Sequence, residues 1–191
     1  MKLNLPNKLT LARALLVPVF MVFAALSHYG QADFHPAYSL LAGLVFTAAS
    51  LTDYLDGNLA RKRNLVTDFG KFADPLADKM LTTAALIYMV VDGVCHPVVL
   101  ALVLFREFAV AGVRMIAAAK DRVIAANMWG KVKTVLQMIT IIFYYFACFF
   151  APADSAGLVS LFTQILCWAV AAATLLSGFI YIKDNRQVLL D

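Results

Sequence analysis

The sequence predicts an all-α, polytopic membrane protein with six transmembrane helices and both termini in the cytoplasm. Three observations carry that expectation. Hydrophobic residues fill 62% of the 191 positions and the mean hydropathy is +0.79, whereas soluble domains are roughly half apolar. Apolar runs of spanning length recur along the whole chain. Outside those runs, Lys and Arg fall on alternate connections only, the asymmetry that orients membrane helices.

The spans are expected at 9–28, 38–60, 72–92, 97–119, 132–151 and 157–181, each about 20 residues or more and so sufficient for a core of about 30 Å. The first apolar stretch, 9–26, is too long for the core of a signal peptide and lacks a small-residue cleavage pattern, so it counts as a span. Connections 29–37, 92–97 and 152–157 contain no Lys or Arg. The opposite side holds Lys2 and Lys8, the connection from Arg61-Lys62-Arg63 to Lys71, the connection from Lys120 to Lys131, and the tail with Lys183 and Arg186. That side is the cytoplasmic one, in a cell membrane crossed several times. No intervening segment is long enough to fold separately, so residues 1–191 form one membrane domain.

Cys95, Cys148 and Cys167 lack metal-site or paired spacing and read as buried apolar residues. The aromatic run 143–146 reads as packing or interfacial anchoring. Without a basic surface carrying interleaved aromatics, the chain offers nothing to nucleic acid.

Chemistry concentrates where the second span meets the third. The sequence there runs Asp53-Tyr54-Leu55-Asp56-Gly57-Asn58-Leu59-Ala60-Arg61, then Gly70-Lys71-Phe72-Ala73-Asp74-Pro75-Leu76-Ala77-Asp78. Asp53 and Asp56 are spaced i,i+3, and Asp74 and Asp78 i,i+4, so each pair projects from one helix face. Asp53 precedes Arg61 by eight positions, or about 12 Å of helix, which sets the cluster just inside the cytoplasmic boundary. Four crowded carboxylates repel and tend to protonate unless cations compensate them. All-oxygen ligation suits Mg²⁺ or Mn²⁺, and two such ions match a phosphoryl displacement. Gly57 and Ala60 open space beside Asp56 for a bulky substrate. The bland alternative makes the aspartates helix-end residues paired with Arg61, Lys71 and Lys79. A cation transporter also uses intramembrane carboxylates, but here the cluster is confined to one end and the outer halves of the spans carry almost no ionisable residues.

Asp, two residues, Asp-Gly, two residues, Ala-Arg, then Gly, three residues, Asp, three residues, Asp resembles the signature of the CDP-alcohol phosphatidyltransferase family, which is complete here. The resemblance implies a six-helix membrane fold and transfer of a phosphatidyl group from a CDP-linked lipid to an alcohol, with release of CMP. It implies Asp53, Asp56, Asp74 and Asp78 as metal ligands and Asp78 as the base. Asn7, Thr10, Arg13, Asp56, Gly57, Ala60, Arg61 and Thr67 become the site for CDP-diacylglycerol. A homodimer is also implied.

Further stretches resemble family members that use glycerol 3-phosphate: 4–10 with Arg13, 66–71, Arg106-Glu107, Arg114, and 130–134 with Gln137. The Asn-x-Leu-Thr opening and the aspartates also occur in cardiolipin synthases, and serine or an inositol phosphate are other acceptors within the family. Arg106, Arg114, Lys131 and Lys133 are the expected ligands of the acceptor phosphate, Arg through forked hydrogen bonds and Lys as a point charge. Two other readings stay open: Arg106–Glu107 holds helices together, or Lys131 and Lys133 touch anionic headgroups.

Overall fold

The computed structural model describes residues 5–27, 34–63, 68–122, 124–125 and 127–187; within these, the side chains of 5–10, 53–63, 68–78 and 153 lie outside the described residues. Six α-helices run in order: α1 (Leu5–Ser27), α2 (Pro36–Arg63), α3 (Asp68–Val91), α4 (Pro97–Ala119), α5 (Met128–Phe150) and α6 (Ala156–Asp184). One 3-10 turn, Ala153–Ser155, precedes α6, and no strand occurs among the described residues. Each helix coincides with one expected span to within a few residues, because long apolar runs bounded by Pro, Asn and charged clusters leave little choice of helix limits. Pro97 starts α4 behind the cap His96, whose ring nitrogen accepts the Val98 N–H. Asn127 caps α5 in the same manner.

Side-chain contacts give the helix directions. Phe20 of α1 meets Phe46, Tyr88 and Tyr145 at ring-centroid distances of 6.0, 6.5 and 5.4 Å, while Phe23 stacks on Tyr38. Residue numbers rise along α1 as they fall along α2, so the two are antiparallel. Tyr144 of α5 donates to Asp92 at 2.6 Å, and Lys133 of α5 shares Glu107 with Lys79, so α3 and α5 run parallel. Contacts Arg114–Tyr181 and His96–Trp168 do the same for α4 and α6. The chain therefore alternates up and down. The C-terminal ends of α2, α4 and α6 share one end of the bundle with the N-terminal ends of α1, α3 and α5.

The core is continuous through the other half, around Phe20, Phe46, Met89, Tyr144 and Tyr145. Tyr144 and Tyr145 are fully buried, so this part of the aromatic run is packing, and all three cysteines are buried and free. A short connection between antiparallel helices favours side-by-side packing of α2 and α3. Among the described residues α1 packs on both, and α2 and α3 touch each other little.

The exterior is apolar. Phe105, Phe108, Phe150 and Phe179 are largely exposed, a surface that water would not tolerate but lipid accepts. By length and composition, α5 and α6 are able to cross a membrane. In α4, Arg106, Glu107 and Arg114 interrupt the apolar run, and two of the three turn inward, as described next.

Candidate active site

Glu107 is the hinge of the charged end. Its Oε1 accepts from Lys133 Nζ at 2.9 Å and from Arg106 Nη1 at 3.2 Å, and its Oε2 lies 3.5 Å from Lys79 Nζ. Helices α3, α4 and α5 thus meet on one carboxylate, which among the described residues is shared by three cations. Lys79 belongs to this cluster; its pairing with the aspartates falls on side chains outside the described residues.

Two cavities of 440 Å³ each flank Glu107 and share Thr134. The first opens among α1, α3, α4 and α5; its wall includes Val17, Met21, Ile87 and Val103, with Lys79, Lys133 and Gln137 as polar members. The second lies among α4, α5 and α6 and is lined by Arg106, Arg114, Asn127, Lys131 and Tyr181. Arg114 is held there by donating from Nε to Tyr181 Oη at 3.1 Å. Arg106 passes between two glycines. A Cβ on Gly178 would stand 3.1 Å from Arg106 Cγ, and one on Gly130 would stand 3.0 Å from Arg106 Nη2. A side chain at either place would press on Arg106, on its aliphatic stem from Gly178 and on its guanidinium from Gly130. Arg106 Nε is buried and has no hydrogen-bond partner, a costly state for a cation unless a ligand or water accepts.

Of the four cations expected around an acceptor phosphate, Arg106, Arg114 and Lys131 line one pocket. Lys133 does not join them. It is buried, ion-paired to Glu107, and lines the first cavity. Glu107 ties α4 to α3 and α5 through Lys79 and Lys133, and Arg106 and Glu107 both border the second pocket. Arg13 is buried in α1. Sequence reasoning passed over Asn127, Gly178 and Tyr181; only Asn127 carried a local signal, as a helix-capping residue ahead of an apolar run.

Asp53, Asp56, Gly57, Ala60 and Arg61 lie on the last turns of α2, and Asp74 and Asp78 on the first half of α3. Their side chains, with those of Asn7 and Thr10, lie outside the described residues, as does Thr67 altogether. Backbone topology nevertheless brings both aspartate segments to the charged end, and Asp78 immediately precedes Lys79. Among the described residues no group of three or more His, Cys, Asp or Glu is placed to hold a metal.

The sequence model of CDP-alcohol phosphatidyltransferases matches residues 3–176. The chain belongs to that family. Its similarity to individual members extends over nearly the full length. The CDP-diacylglycerol–glycerol-3-phosphate 3-phosphatidyltransferase of Bacillus subtilis is 40% identical over 192 residues, 97% of both chains. A relative of the same name from Rickettsia bellii is 34% identical over 96% of both chains. Another, from Mycoplasma pneumoniae, is 36% identical over 87% of this chain and 77% of its own. The family signature thus occupies the ends of α2 and α3 that flank the charged cluster, and this chain is an enzyme of the phosphatidyl-transferring type.

Proposed function

We propose that this protein transfers the phosphatidyl group of CDP-diacylglycerol to glycerol 3-phosphate, producing phosphatidylglycerophosphate and CMP. The observation that carries the acceptor assignment is the pocket in which Arg106, Arg114 and Lys131 converge, with the buried Nε of Arg106 awaiting an acceptor. The relatives' names support the same pair of substrates. All six helices would cross the cell membrane with both termini and the charged end in the cytoplasm, a reading supported by the alternating basic connections and the apolar exterior. Association of two copies rests on the family resemblance alone.

The donor set of four carboxylates at the charged end, two on α2 and two on α3, suits two Mg²⁺ or Mn²⁺ ions, which Asp53, Asp56, Asp74 and Asp78 would hold. When bound, such ions supply positive charge against the pyrophosphate and the departing nucleotide. The chain's own residues do the rest. The pocket at Arg106, Arg114 and Lys131 orients the acceptor by its phosphate, and the apolar wall of the first cavity accommodates diacylglycerol carbon. Asp78 accepts the proton of the acceptor's 1-hydroxyl. That oxygen bonds to the phosphorus carrying diacylglycerol while the bond from this phosphorus to the bridging oxygen breaks, and CMP leaves with the electron pair. Asn7, Thr10, Arg13, Gly57, Ala60, Arg61 and Thr67 bind the CDP-lipid in this scheme.

The test is the acceptor KM of Arg114→Gln and Lys131→Gln in neutral detergent. A charge-assisted contact is worth about 1.5–3 kcal/mol, so each variant should raise KM for glycerol 3-phosphate roughly 10- to 150-fold and leave that for CDP-diacylglycerol nearly unchanged. Wild-type KM in both variants would remove the physical support for this acceptor. A defect confined to anionic vesicles would assign Lys131 to the membrane surface.

A further inference from the structure

The pocket beside Arg106 contains a neutral donor that no charge pattern picks out. Asn127 caps α5, its Oδ1 accepting the Gly130 N–H at 2.8 Å. That bond settles the orientation of the amide, because only its oxygen accepts from a backbone N–H. The nitrogen therefore points the other way. Nδ2 is buried and has no hydrogen-bond partner, the same condition as Arg106 Nε in the same pocket. Two buried donors without acceptors, in a pocket that also holds Arg114 and Lys131, describe a receptor for an oxygen-rich anion. Gly130 makes the pairing possible: a Cβ there would meet Asn127 Oδ1 at 2.9 Å and Arg106 Nη2 at 3.0 Å.

We propose that Asn127 is a binding and specificity-determining residue for the acceptor, donating from Nδ2 to a phosphate oxygen of glycerol 3-phosphate, with Gly130 clearing the space that Asn127 and Arg106 share. This rests on the acceptor reading above. The amide adds direction to a pocket otherwise built of cations. An alcohol without a phosphate leaves both buried donors unmet, and unmet donors discriminate more strongly than lost apolar contact does.

The experiment compares wild type, Asn127→Asp and Asn127→Ser in neutral detergent. Asp and Ser both keep an oxygen that caps α5, so the helix start is preserved. Asp replaces the donor with an anion facing the phosphate, and Ser is too short to reach. KM for glycerol 3-phosphate should rise about 10-fold or more for Asn127→Asp and about 3- to 10-fold for Asn127→Ser. KM for CDP-diacylglycerol and the melting temperature should stay near wild type. An unchanged acceptor KM in Asn127→Asp, or an equal rise for both substrates, overturns the proposal. If Asn127→Asp fails to fold, Asn127→Ser decides by the same two KM values. If the wild type itself shows no turnover dependent on glycerol 3-phosphate, the acceptor reading fails, and inorganic phosphate then judges Asn127 alone. Thermal stabilisation by phosphate that Asn127→Ser weakens supports an anion site at Asn127; stabilisation that is absent, or unchanged in the variant, overturns it.

Discussion

Replacing Glu107 by Gln removes the carboxylate on which, among the described residues, Lys79, Arg106 and Lys133 converge. The three partners do not lose equally. Lys133 is only 3% exposed and sits 2.9 Å from Glu107 Oε1, so it loses a buried charge-assisted contact, a change that costs about 1.5–3 kcal/mol. Lys79 is 44% exposed and 3.5 Å away; solvent screens it, and its share is at most about 1 kcal/mol. The sum is dominated by Lys133. At about 2–4 °C per kcal/mol for a chain of this size, Glu107→Gln should melt roughly 3–12 °C below wild type in neutral detergent, followed by the fluorescence of Trp129 and Trp168. Adding Lys133→Met should recover part of that loss, because an apolar side chain of similar length no longer calls for the missing carboxylate. A Glu107→Gln protein melting within about 2 °C of wild type, or a double variant no more stable than the single one, would refute the reasoning.

Chelation should abolish CMP release, and Mg²⁺ or Mn²⁺ should restore it; full activity after rigorous chelation would rule out the two-ion reading. Gly178→Ala should push Arg106 aside by a few tenths of an ångström and raise KM for glycerol 3-phosphate about 3- to 10-fold. That effect should vanish in an Arg106→Ala background, a non-additivity that a double-mutant cycle reads directly.

The helices were legible because their signal is local: six apolar runs, Pro97 and Asn127 at helix starts, and basic residues on alternate connections. Inward placement of Arg106–Glu107 was legible too, since an adjacent charged couple in the middle of a span has few places to go. The separation of Lys131 from Lys133 lay in the sequence but was passed over. Two residues on a helix are about 200° apart around its axis, so the two lysines face different cavities. Gly178 and Tyr181 were not legible, because a glycine niche or a hydroxyl acceptor acquires meaning only from the helix packed against it. Asn127 was legible as a cap, but its second role depends on burial of the amide nitrogen, which no local pattern encodes. The four aspartates were the strongest signal in the sequence; what the structure adds is the position of their helices, next to the cluster on Glu107.

The most direct measurement is CMP release by the purified protein from CDP-diacylglycerol and Mg²⁺, with glycerol 3-phosphate, glycerol, serine, inositol phosphate or phosphatidylglycerol as the acceptor. The account predicts rapid CMP release and stoichiometric phosphatidylglycerophosphate with glycerol 3-phosphate, and little product with any of the others. Release that is equally fast with another acceptor, or independent of acceptor altogether, would contradict it.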